Sequence, residues 1–90
     1  MLKPGMAMLV HGPLDFVVGV IEEVSGAYLK MSAGCVTTRN IANQTQLVAT
    51  CKPCNSDYVV CPNGHIVPLM QATGFTLLDH YDPADWPKQE

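Results

Sequence analysis

The sequence predicts a mainly β domain. Three observations carry this: runs of β-branched and aromatic residues, turn dipeptides between those runs, and little clean helical period anywhere in the 90 residues. A chain of this length supports one domain, and it buries only somewhat more than roughly 60% of the surface its unfolded form exposes, so its margin of stability is thin. Hydrophobic residues make up 48% of the chain and charged residues 14%, against a charged share of about 25% in ordinary globular proteins. So little charge leaves apolar surface, and burying part of it between subunits is the simple remedy. A homo-oligomer is therefore expected.

Taken in order, "GMAMLV" (5–10) is a first strand that ends at the turn signal "HGP". "DFVVGVIEEV" (15–24) and "AYLKM" (27–31) flank Ser25-Gly26, which reads as a two-residue hairpin turn. In that register Val24 faces Ala27, Glu22 faces Leu29 and Val20 faces Met31, so Phe16, Val18 and Val20 form the core face with Leu29 and Met31. Val17, Ile21 and Glu23 then share the opposite face with Tyr28 and Lys30. That apolar patch is covered either by a helix or loop of the same chain or by another subunit. Residues 32–50, rich in Thr, Asn and Gln, read as a loop or as a short helix near 42–49. In "DYVVCPNGHIVPL" the Asn63-Gly64 pair lies between β-branched residues and is the favoured type I′ hairpin turn. Beyond Pro68, the spacing of Phe75 and Leu78 suggests a short helix despite Gly74. Residues 1–80 form the single domain, and 81–90, with two prolines and a polar end, form an extended C-terminal arm. About five short strands joined by tight turns make a small SH3-like or Sm-like barrel with one short C-terminal helix.

The formal charge is −3, from five Lys and Arg against eight Asp and Glu. The basic residues Lys3, Lys30, Arg39, Lys52 and Lys88 never cluster, which disfavours the phosphate contacts of nucleic-acid binding. A ring that repeats Arg39 about an axis keeps that class open. Pro4 and Gly5 stand where a secretory signal would have its apolar core, and no run approaches the roughly 20 residues of a membrane span. A cytoplasmic protein with reduced thiols and no membrane contact is expected. No phosphate-cradling glycine motif and no nucleophile elbow occur. The Glu22-Glu23 pair lies on a strand, where neighbouring side chains face opposite ways. His11, His65 and His80 read as turn or surface residues, so no enzyme is expected.

The stretch "CKPCNSDYVVCPNGHIV" (51–67) poses the metal question. Cys51, Cys54, Cys61 and His65 have the count and chemistry of a structural zinc site, because tetrahedral zinc takes thiolate and imidazole together. The hairpin register opposes this. A two-residue Asn63-Gly64 turn pairs Cys61 with Ile66 and Pro62 with His65, which sends Cys61 and His65 to opposite faces. Reduced structural thiols are the competing reading, and a zinc-stabilised module touching nucleic acid is the alternative function. A redox C-x-x-C would have to open a helix, and Asn55, Ser56 and Asp57 followed by "YVV" give none.

A strand with an internal glycine, "VVGVIEEV", leads through a hairpin to a polar segment ending "TQLVAT", then to the cysteine loop "CKPCNSDYV" and to "HIVPLMQATGF". This order of parts, over residues 8 to 80, resembles a group of small uncharacterised bacteriophage-encoded proteins. The resemblance implies a small β-barrel that acts in a host cell. The expected function is a non-enzymatic oligomeric binding module, an anti-defence protein that sequesters a nucleotide signal or occludes a host protein. Tyr28, Arg39, Asn43 and Trp86 are the residues expected to meet that ligand or partner. The group lacks the "CPNGH" of this chain, which leaves zinc without support from it.

Overall fold

A computed structural model describes residues 1–13, 15–38, 41–53, 58–60 and 65–86. The domain is mainly β, with strands β1 (Ala7–His11), β2 (Asp15–Val24), β3 (Tyr28–Thr38), β4 (Tyr58–Val60), β5 (His65–Pro68) and β6 (Gly74–Leu77). One helix, α1 (Ile41–Thr50), lies between β3 and β4. All pairings are antiparallel, in the order β4-β3-β2-β1-β6, with β5 also on β3.

The strands are amphipathic twice over, because both faces of the sheet are buried. Leu9, Phe16 and Val18 point to one face and meet Leu47 of α1, Cys51, Leu78 and Trp86. Met8, Val10, Val17 and Ile21 point to the other and meet Leu29, Met31 and Val67. Alternation along β1 and β2 thus puts an apolar residue at nearly every position, as a strand covered on both sides requires. The patch around Val17 and Ile21 is covered from within the same chain. Val17 is 5% exposed and Ile21 1%.

The pairing of Leu29 and Met31 with Phe16 and Val18 is corrected by the β2–β3 register. Val24 faces Leu29 and Glu23 faces Lys30, but Ile21 faces Met31, so Glu22 is an extra residue on β2. Each single-residue bulge exchanges the faces beyond it. Met31 therefore joins Ile21, and Val20 faces Ser32 outside the core. A second irregularity near Gly19 restores the original phase, and Val18 faces Cys35.

The first hairpin turn lies one residue beyond Ser25-Gly26. Ser25 N–H donates to Tyr28 O at 3.0 Å, and the Ser25 hydroxyl oxygen accepts from the N–H groups of Ala27 (3.1 Å) and Tyr28 (3.0 Å). The side chain thus satisfies the backbone donors on the far side of the turn, and the central pair becomes Gly26-Ala27.

A larger correction concerns Asn63-Gly64, which itself falls outside the described residues. β4 pairs with Cys35–Thr37 of β3, and β5 pairs with Tyr28–Met31 of the same strand. Both run antiparallel to β3, so they point the same way and lie end to end along it. The two are not the arms of a hairpin. The eleven residues of β3 offer a long template, and pairing with it overrides the local turn preference.

The C-terminal helix is also replaced. Leu69–Gln71 form one turn of 3-10 helix and Gly74–Leu77 form the strand β6, whose register sets Phe75 against Val10 and Leu77 against Met8. Leu69 N–H bonds Ala27 O at 2.9 Å and Thr73 N–H bonds His11 O at 2.7 Å. Residues 69–73 therefore cross the sheet from the β2–β3 turn to the far end of β1, and Leu69 and Ala72 close over the Val10–Ile21 face. At the start of the chain Pro4-Gly5 make a turn, Met6 N–H bonding Lys3 O at 3.3 Å. Gly5 has φ 93°, the left-handed value a glycine adopts without strain.

The described residues after β6, up to Trp86, are not a free arm. Asp82 accepts from Ala84 N–H at 2.9 Å and caps a 3-10 turn over Pro83–Asp85, which delivers Trp86 to the α1 side of the sheet.

Candidate functional site

A groove of about 270 Å³ lies between β5, the 69–73 crossover and the top of the β1–β2 hairpin. Its floor is Val10 and Val17, its far wall Val67 and Ala72, and its rim His65, Gln71 and the Gly12-Pro13 turn. The sequence builds it simply. Alternation on β1 and β2 aims Val10 and Val17 at this face, and Pro68 ends β5 so that the chain turns away and leaves the gap.

His65 and Val67 are two apart on β5 and face Met31 and Leu29 across the pair, so the His65 imidazole shares the inward face with Val67. His11 also borders the groove, but its ring turns to the opposite face. There Nε2 and the Thr76 hydroxyl form a 2.9 Å hydrogen bond, and Thr76 stands opposite Leu9 of the α1-side cluster. The rim thus combines one imidazole and one amide side chain above an apolar floor. Among the described residues no Lys or Arg lines it.

The residues expected at a site are scattered. Tyr28 begins β3, half-buried, with its hydroxyl donating to Glu23 at 3.2 Å. That hydrogen bond and the nearby carboxylate raise the Tyr28 phenol above its ordinary value. Asn43 is on α1, and Arg39 lies outside the described residues. Trp86 is 3% exposed inside the domain's own cluster and stacks on Tyr81, so its indole is turned inward, away from any partner.

The four proposed zinc ligands are divided. Cys54 and Cys61 lie outside the described residues. Cys51 is 4% exposed among Leu9, Phe16 and Leu47, on the α1 side of the sheet. Its backbone has φ 56°, an uncommon left-handed value for a residue with a Cβ, which follows directly on α1 with Cys51 N–H bonding Leu47 O at 2.7 Å. His65 faces the other side. Zinc bonds reach about 2.0–2.3 Å, so one ion does not join two groups with a sheet between them.

No protein-family model, curated protein or solved structure matches the chain. No sequence signal marked the groove, because its walls come from β1, β2, β5 and the crossover, and its polar residues, His65 and Gln71, have no motif spacing. No helix among the described residues is long and apolar enough to cross a membrane.

Proposed function

We propose that this protein is a non-enzymatic, oligomeric binding module that acts by occupying a ligand or a partner surface. The observation that carries the reading is the groove. An apolar floor with one imidazole and one amide at its rim suits holding a group in place, and about 270 Å³ is just below the usual size of small-molecule sites. It accepts one apolar or aromatic side chain, or one base.

Occlusion of a host protein has better support than capture of a nucleotide signal. A phosphate needs a cation or a cluster of N–H donors near it. No cation lines the groove among the described residues, and Lys30 is engaged with Glu22 at 3.8 Å. A phage or mobile-element origin, action against host defence and a place in the host cytoplasm rest on the order of sequence parts. An SH3-like or Sm-like form, as a sheet that curls without closing β6 onto β4 or β5 among the described residues, belongs to the same reading. Its support is β3 serving both β4 and β5, and a 3-10 turn that leads into a last strand returned to β1.

Native mass spectrometry of protein purified from cells tests this. A bound small molecule or host protein is expected, and Gln71→Trp, which fills the rim from an exposed position, should release it. Wild-type protein that emerges with nothing bound, or an unchanged complex in the variant, overturns the reading.

A further inference from the structure

We propose that β6 is a homodimer edge, on which two copies of the chain join their sheets across a twofold axis at Thr76. The proposal rests on the oligomeric part of the function above and names the surface for it.

β6 ends the strand order and pairs only with β1 among the described residues. Leu78 N–H bonds Ala7 O at 3.0 Å, which fixes the phase of the ladder. Alternate residues Thr76 and Gly74 also turn their peptide groups toward β1, so Phe75 and Leu77 turn theirs to the open edge. These two are also the residues with exposed apolar side chains, Phe75 at 41% and Leu77 at 50%.

The occupant of such an edge is a strand, because only a strand matches its spaced donors and acceptors. A second copy of β6 is the fitting one. In an antiparallel pair centred on Thr76, Phe75 of each copy stands opposite Leu77 of the other, and about four backbone hydrogen bonds form. Phe and Leu then pack together on one face, twice, by symmetry. Apart from its length of four residues, the edge lacks the usual defences among the described residues. It carries no charge, no proline and no bulge, and a chain only 14% charged has little else to keep it apart. The opposite edge is blunted, since Pro68 on β5 has no N–H to offer. That asymmetry favours β6 with β6 over a head-to-tail ring.

The experiment combines sedimentation with crosslinking on the full chain. Wild-type protein should sediment at about twice the 9.7 kDa of one chain. Leu77→Lys, at an exposed position, should raise the dissociation constant at least tenfold, and Phe75→Pro, which removes an outward N–H and no bond to β1, should do the same. Thr76→Cys should form a disulfide between two copies on mild oxidation, because residues at a non-hydrogen-bonded antiparallel pair bring their Cα atoms to about 4.5 Å. Peptide mapping identifies the 76-to-76 link. A wild-type monomer at every concentration overturns both this proposal and the oligomeric reading. An oligomer that survives Leu77→Lys, or a Thr76→Cys protein with no such link, overturns the β6 edge and leaves the oligomeric reading standing. Should Phe75→Pro fail to fold, the other two variants decide.

Discussion

Trp86 lies over Tyr81 with ring centroids 5.5 Å apart and an interplanar angle of 25°, and the stacked pair seals the α1-side cluster. The consequence is that residues beyond β6 belong to the core. Trp86→Ala should cost about 3–5 kcal/mol, read as a lower urea midpoint. An unchanged midpoint would show that the last segment adds nothing to the domain.

The opposite face predicts an equal dependence. Ile21, 1% exposed among Leu29, Met31 and Val67, should lose about 2–5 kcal/mol on change to Ala. If the face is instead buried by another subunit, the loss will grow as protein is diluted. The expected loss is independent of concentration.

Cys51 bears on the metal question. Its side chain lies in an apolar cluster, so Cys51→Ser should destabilise by about 1–3 kcal/mol through a buried hydroxyl. Elemental analysis should find less than one zinc per chain in wild type and variant alike, and a chelator should leave the melting temperature unchanged. A stoichiometric zinc lost in Cys51→Ser would refute the separation of Cys51 from His65.

Tyr28 should titrate above the ordinary tyrosine value, because ionisation breaks its hydrogen bond to Glu23 and sets phenolate beside carboxylate. The folded state holds this proton more tightly than the unfolded chain. The associated stabilisation is thus fully present below the unfolded tyrosine pKa and is lost as pH rises through the folded one. Absorbance titration should show the raised component, and Glu23→Gln should remove it.

Gly74 offers a gain. Its φ is not in the left-handed region, and an added Cβ would meet His11 Cδ2 at 3.5 Å, an ordinary contact. Gly74→Ala should stabilise by about 0.4–1 kcal/mol, mainly by restricting the unfolded chain. A fall in thermal midpoint would show that the β1–β6 pairing needs the glycine.

What the sequence made legible was local. The β2–β3 hairpin and the strand at 5–10 follow from turn chemistry and β-branched runs, and of the two readings of 32–50, loop or short helix near 42–49, the helix is present as Ile41–Thr50, while 32–38 is neither and extends β3 to Thr38. The faces of β2 and β3 were not legible, because the bulge at Glu22 leaves no mark in a pattern that is apolar on both sides. Asn63-Gly64 misled for a different reason. The turn preference is real but worth little beside pairing with β3, and the partner of β4 and β5 lies twenty or more residues away. In 70–80 the spacing of Phe75 and Leu78 suggests a helix, although Gly74 and Thr76 suit the strand that β1 requires. The groove needed all of these pairings before its walls could be placed.

The bond from Leu78 N–H to Ala7 O joins the first strand to the last, and this sets an order of events at the ribosome. Until β6 has left the exit tunnel, β1 has only β2 beside it, and its other flank of backbone donors and acceptors is bare. The nascent domain therefore completes its sheet only after residue 78 has emerged, and the interval before that is when it is most open to pairing with the wrong strand.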